Sequence, residues 1–244
     1  MKAIHNDGYP ETSTMVADKD ARREQFDDSL AAKDLSRLGR ELVACHTPSV
    51  PQAAAFRSLA MQLMLGTFSA TGNALAIVSP SSGDGRSFVA ANLAVVFSQL
   101  GQRTLLIDAH LQEPRLHEIF DIGNAAGLSS ILGSQTPGTL KAVAVRQLRN
   151  LWLVPGGPRP PNADDLLARD GFAEVCNTLK NQNDVVLFDT PPGETSTGAD
   201  WVANRCRKAL IVVRRNRTEF ADTKAFLGRV KSRAEIVGCV LNRY

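Results

Sequence analysis

At 244 residues the chain can hold one sizeable α/β domain with an extension. Hydrophobic residues at 43% and charged residues at 22% are ordinary for a globular protein, and a net charge of +3 is too small to argue for nucleic acid as a partner. No apolar run reaches the ~18 residues of a spanning helix and the N-terminus lacks a signal-peptide core, so the expectation is a soluble, cytoplasmic chain that meets a membrane only through a partner.

Residues 1–33 are polar, mixed in charge and poor in periodic apolar positions, which predicts a disordered extension. Leu35, Leu38, Leu42 and Val43 at helical spacing behind Asp34 predict a capped helix to Cys45, and residues 46–52, with Pro48 and Pro51, predict a linker. A second helix is expected over Ala53 to Leu65, so residues 34–73 form an N-terminal helical segment.

From Ala74 the pattern changes. Short apolar runs at 74–78, 103–108, 152–155, 184–189, 209–213 and 236–241 read as strands, and helices fit 88–99, 163–167 behind Asn162, 171–180 and 218–232. Near-continuous apolar runs alternating with helices argue a doubly wound, mostly parallel sheet over residues 74–244. Cys45, Cys176, Cys206 and Cys239 form no C-x-x-C pair and read as free thiols.

Ser79-Pro-Ser-Ser-Gly-Asp-Gly-Arg-Ser87 lies between the first of these strands and a helix, the context of a phosphate-binding loop. Glycines admit phosphate oxygens close to backbone N–H groups, and the helix N-terminus adds positive dipole. Gly83, Asp84, Gly85, Arg86, Ser87 and Phe88 are therefore the candidate nucleotide ligands, with Gly85 expected to leave room for phosphate. Pro80 replaces the first glycine of G-x-x-x-x-G-K-[ST], and Arg86 replaces its lysine. An ordinary Gly-Asp-Gly turn is the alternative. Asp108 and Asp189 each end an apolar strand, where ligands of such sheets bind, so with Ser87 they could hold Mg²⁺; capping a local turn is the competing role. The basic run from Arg205 to Arg217 reads as a solvated rim, with an anion- or membrane-facing patch as the alternative.

Val78-Ser-Pro, Gly83-Asp-Gly-Arg-Ser87, Ala91-Asn-Leu-Ala, Arg103-Thr-Leu-Leu-Ile-Asp108, Pro160-Pro-Asn, Asp189-Thr-Pro and Gly238-Cys-Val-Leu-Asn242 occur in the order found in bacterial tyrosine autokinases. The chain resembles that family, and within it the chain-length-determinant tyrosine kinases of exosortase-type exopolysaccharide loci, with a P-loop NTPase fold of the deviant-Walker type. The resemblance implies ATP and Mg²⁺ as cofactors and control of exopolysaccharide chain length, polymerisation and export. It also implies a membrane chain-length-determinant (polysaccharide co-polymerase) partner and homo-oligomers. Arg86, Asp108 and Asp189 would be catalytic, Ser87, Asp108 and Asp189 would hold the metal, and Asn242 would join the nucleotide site.

Departures from the family pattern are specific. His110 stands for a second aspartate and Gln112 for an arginine. Ala54, Arg57 and Ala60 stand at the assembly word E-x-x-R-x-x-R, of which only the central arginine survives. The usual tyrosine cluster is missing, leaving Tyr9 and Tyr244, of which Tyr244 is the candidate phosphoacceptor. An ATP-gated regulatory subunit without kinase activity is the alternative. A spatial-organiser ATPase ranks lower, since the lysine that opens its K-G-G-x-G-K word is replaced by Ser81.

Overall fold

The computed structural model describes residues 35–68, 72–134, 142–145 and 147–243. The extension expected over residues 1–33, the cap at Asp34, and Tyr9 and Tyr244 lie outside them.

The six expected strands and one short unexpected one, β3, form one sheet: β1 (Ala74–Val78), β2 (Thr104–Asp108), β3 (Val143–Ala144), β4 (Leu151–Val154), β5 (Val185–Asp189), β6 (Lys208–Arg214) and β7 (Glu235–Asn242). Their spatial order is β3-β4-β2-β5-β1-β6-β7, and every pairing is parallel except β3 with β4. β1, β2 and β5 are buried along their whole lengths, which explains their unbroken apolar runs.

Helices cover both faces. Alternate strand residues such as Leu75, Ile77, Leu106 and Leu187 pack with α2 (Pro51–Gly66) and α3 (Arg86–Gln99). The residues between them, such as Ala76, Ile107, Val186 and Phe188, pack with α6 (Ala163–Ala168), α7 (Asp170–Gln182), α8 (Gly198–Cys206) and α9 (Phe220–Lys231). Phe97 of α3 and Phe172 of α7 are fully buried anchors of the two layers. Truncating either to alanine removes about 3–5 kcal/mol of stability.

The N-terminal segment differs from expectation. A single helix from Asp34 to Cys45 does not form; Leu35–Arg37 is a 3-10 turn and α1 spans only Val43–His46. Asn92 of α3 supplies the reason, because it accepts the Ala44 N–H and donates to the Glu41 carbonyl. Backbone groups that a helix would satisfy internally are satisfied by a buried amide, while Leu38 and Leu42 still reach the core. Pro51, expected in a linker, is the first residue of α2, where its missing N–H costs nothing.

Short elements escaped the sequence: α4 (Leu116–Ile119), α5 (Leu128–Gly133), α8 and the two-residue β3. Asn162 stands at the start of α6 without a side-chain capping bond. None of the four cysteines forms a disulfide among the described residues.

Candidate functional site

The loop after β1 turns at Gly83 and Gly85, with φ of 76° and 97°, a region that favours glycine. Gly85 caps α3 without a side chain, and no acidic residue stands in the first turn, so the helix presents its N–H groups and dipole to the turn. β5 lies between β1 and β2, which sets Asp189 between this loop and Asp108. Asp108 and Asp189 are direct register partners.

The two carboxylates are unlike. Asp108 accepts N–H groups of His110 (3.2 Å), Arg115 (2.9 Å) and Leu116 (3.0 Å), so it also organises the turn into α4. Asp189 is buried, and neither of its oxygens has a hydrogen-bond partner among the described residues. Burial raises both pKa values, and the charge of Asp189 raises Asp108 further. Arg86 and the Ser87 hydroxyl oppose the rise at Asp189. Such a pair favours a shared proton or a cation.

Hard Mg²⁺ takes anionic and hydroxyl oxygens. The buried Asp189 carboxylate, with Asp108 opposite it and Ser87 and Arg86 acting on it, fits that requirement. No group of three or more His, Cys, Asp or Glu side chains suited to a metal occurs among the described residues, so phosphate and water would complete the shell. His110 is no substitute. Burial, then the charges of Arg86, Arg115 and Arg159, push its pKa down to about 4 and keep it neutral.

Arg86 does not extend over the turn. Its Nε donates to the Thr190 carbonyl (2.9 Å) and its Nη1 to the Ser81 carbonyl (2.9 Å) and to Ser79 Oγ. A guanidinium that is only 6% exposed thus braces the loop from beneath, its rigid fork reaching acceptors on two segments where an ammonium is a compact point charge on a flexible stem. Burial lowers its pKa, opposed first by Asp189 and then by Asp84 and Glu194.

Asp84 also faces inward. Its carboxylate accepts the Ser81 N–H (3.0 Å) and the Thr218 hydroxyl (2.7 Å). Asn242, at the end of β7, donates to the Asp84 carbonyl (2.9 Å), and a Cβ on Gly85 would meet the Asn242 amide nitrogen at 2.1 Å. The contact with Asn242 therefore leaves no room for a side chain at Gly85, independently of any ligand. The Phe88 ring stacks edge-on against Phe56 in the core, which leaves only its backbone for a ligand.

The basic run is only partly a solvated rim. Arg214 donates to the Gly83 carbonyl (3.1 Å), and a Cβ on Gly83 would come within 3.0 Å of Arg217 Nη1. Motif reading gave no role in the loop to these arginines or to Ser79, and passed over Thr190, Glu194 and Thr218. Thr190 lies inside the quoted Asp-Thr-Pro word and could have been found. Nothing local to Thr218 marks it, because its partner is 134 positions away.

The description CobQ/CobB/MinD/ParA nucleotide binding domain matches residues 75–244. Tyrosine-protein kinase YwqD of Bacillus subtilis is 31% identical over 210 residues, covering 85% of this chain and 87% of that protein. Tyrosine-protein kinase wzc of Salmonella typhi is 33% identical over 83% of this chain but only 28% of its own length. The kinase domain of Escherichia coli tyrosine kinase ETK superposes with a TM-score of 0.77 at 26% identity, covering 82% of this chain and 79% of that one.

Proposed function

The chain belongs to the CobQ/CobB/MinD/ParA nucleotide-binding family and, within it, to the bacterial tyrosine-protein kinases, and from that premise we propose that it binds ATP on residues 79–87 and acts as a tyrosine autokinase-like regulator of exopolysaccharide chain length, polymerisation and export. The observation that carries this reading is the placement of Asp108 and Asp189 side by side on adjacent strands, next to a glycine turn that opens α3.

Phosphoryl transfer asks a protein mainly for positioning and charge neutralisation. Gly83 to Ser87, and the Phe88 backbone, present N–H groups to the phosphates, while Arg86, Arg214 and Arg217 place positive charge under and beside the turn. Ser87, Asp108 and Asp189 would hold Mg²⁺, which when bound neutralises phosphate charge. Asn242 fixes the loop to the end of β7 and would border the nucleotide.

No helix among the described residues is long and apolar enough to cross a membrane. A membrane chain-length-determinant protein as partner, and placement at the inner face of the plasma membrane through it, follow from the family resemblance. Homo-oligomers through α2 are the weakest part of that inheritance. Arg57, the one retained residue of the assembly word, donates to the Pro48 carbonyl of its own chain.

One observation favours a second reading, an ATP-gated subunit without kinase activity: the position of the second aspartate holds a neutral, buried His110. Calorimetric titration with Mg²⁺·ATP, with phosphotyrosine mass spectrometry on the same samples, separates the two. Binding with phosphotyrosine supports the kinase, binding without it supports the gated subunit, and no binding overturns both.

A further inference from the structure

We propose that Glu194 is a further residue of the nucleotide site, whose carboxylate holds the Ser82 N–H until a phosphate oxygen takes over that donor, and which thereby sets the loop's affinity. The inference rests on the phosphate-binding role proposed above for residues 79–87.

Glu194 Oε1 accepts the Ser82 N–H at 2.7 Å, a short bond from an anion to the very turn that would receive phosphate. The backbone delivers the carboxylate there. Gly193 N–H donates to the Ser79 carbonyl (3.0 Å), and Glu194 N–H to the Pro80 carbonyl (2.8 Å), so this segment runs alongside the loop. From the other side, Arg229 of α9 donates to the Gly193 carbonyl (2.9 Å), and a Cβ on Gly193 would meet the Phe226 ring at 2.2 Å. Pro191 and Pro192 restrict the approach from β5. The position is built, not a chance surface contact.

Asp84 shows what a permanent loop carboxylate looks like: fully buried, holding both the Ser81 N–H and Thr218. Glu194 is exposed, so water can solvate its carboxylate once displaced, and little desolvation opposes the exchange. Two anions sharing one N–H would repel each other, and each would hold only part of the bond. A phosphate that takes the donor must move Glu194 aside, and binding is weakened by the free energy of the bond it replaces.

The test is calorimetric titration of Mg²⁺·ADP into the full chain and into Glu194→Gln, Glu194→Ala and Glu194→Asp. Glutamine keeps length and an accepting oxygen but loses the charge; aspartate keeps the charge but falls one methylene short. Binding about tenfold tighter is expected for Glu194→Ala and Glu194→Asp, with a smaller gain for Glu194→Gln. A gain of affinity is a readout that loosened structure does not produce. Binding by the variants only, and not by the unaltered chain, would also support the inference. Equal affinity in all four chains overturns it and leaves the loop's role intact, and weaker binding overturns it by making Glu194 a ligand. No binding by any chain removes both the inference and the reading it rests on.

Discussion

Asp108 and Asp189 face one another as register partners across β2 and β5, both buried, one holding three backbone N–H groups and the other none of its own. Replacing Asp189 by asparagine removes one buried charge and its repulsion of the other. Asp189→Asn should raise the melting temperature of the ligand-free chain by a few degrees, equivalent to about 1–2 kcal/mol, while Mg²⁺-dependent nucleotide binding falls at least tenfold. Melting curves and titrations with and without Mg²⁺ check both halves. A lower melting temperature would mean that Arg86 and Ser87 stabilise the Asp189 carboxylate by more than burial and Asp108 oppose it.

The same pair sets a pH dependence. Burial raises Asp108 to about 8 and Asp189 to about 6, above their unfolded values. A raised acid contributes stability that is full below the unfolded pKa near ~4 and is lost as pH rises through the folded one. The ligand-free chain should therefore lose stability between about pH 4 and pH 8 relative to Asp189→Asn. Mg²⁺·ADP should raise the melting temperature more at pH 8 than at pH 5.5, because a bound cation replaces the proton. A shift independent of pH would count against the cation site.

Gly85→Ala tests the contact with Asn242. The left-handed backbone and the close amide nitrogen together predict a loss of about 1–3 kcal/mol, with weaker nucleotide binding. Adding Asn242→Ala removes the clash but not the backbone strain, so the double variant should recover part of the stability lost. Strict additivity in a double-mutant cycle would show that the two residues do not meet.

His110→Asp restores the family's second carboxylate at a position already surrounded by Arg86, Arg115 and Arg159, whose charges acted on the imidazole. The cations that disfavour a charged histidine favour an aspartate. The variant should fold and show Mg²⁺-dependent phosphate release several-fold above the parent chain. An unchanged or lower rate would mean that the histidine is not what limits turnover.

Tyr244 is the proposed phosphoacceptor and lies outside the described residues, just beyond the buried Asn242. Tyr244→Phe should remove most phosphotyrosine, and co-expression with the membrane chain-length partner should increase it in the parent chain. Quantitative mass spectrometry of both chains decides. Signal retained in Tyr244→Phe would move the acceptor to Tyr9.

The layered α/β architecture was legible in the sequence because strands buried on both faces must be apolar throughout. Ala74–Val78, Thr104–Asp108 and Val185–Asp189 needed nothing else to be found. The glycine turn and the aspartates ending two strands were equally local signals. Short α4 and α5 carry too few residues for periodicity to show, and the segment from Leu35 to His46 follows a helical pattern that the Asn92 side chain overrides.

Neighbouring residues alone therefore marked six of the seven strands, the glycine turn after β1 and the two carboxylates that end β2 and β5, since each is a local pattern. Only the tertiary structure decided that β5 intervenes between β1 and β2 and makes Asp108 and Asp189 partners. It also decided that Arg86 braces the loop, that Thr218 holds Asp84 and that Glu194 lies on Ser82. Those contacts join residues up to 134 positions apart, and their geometry is set by strand order and by close packing of α9 on Gly193, which no local pattern encodes.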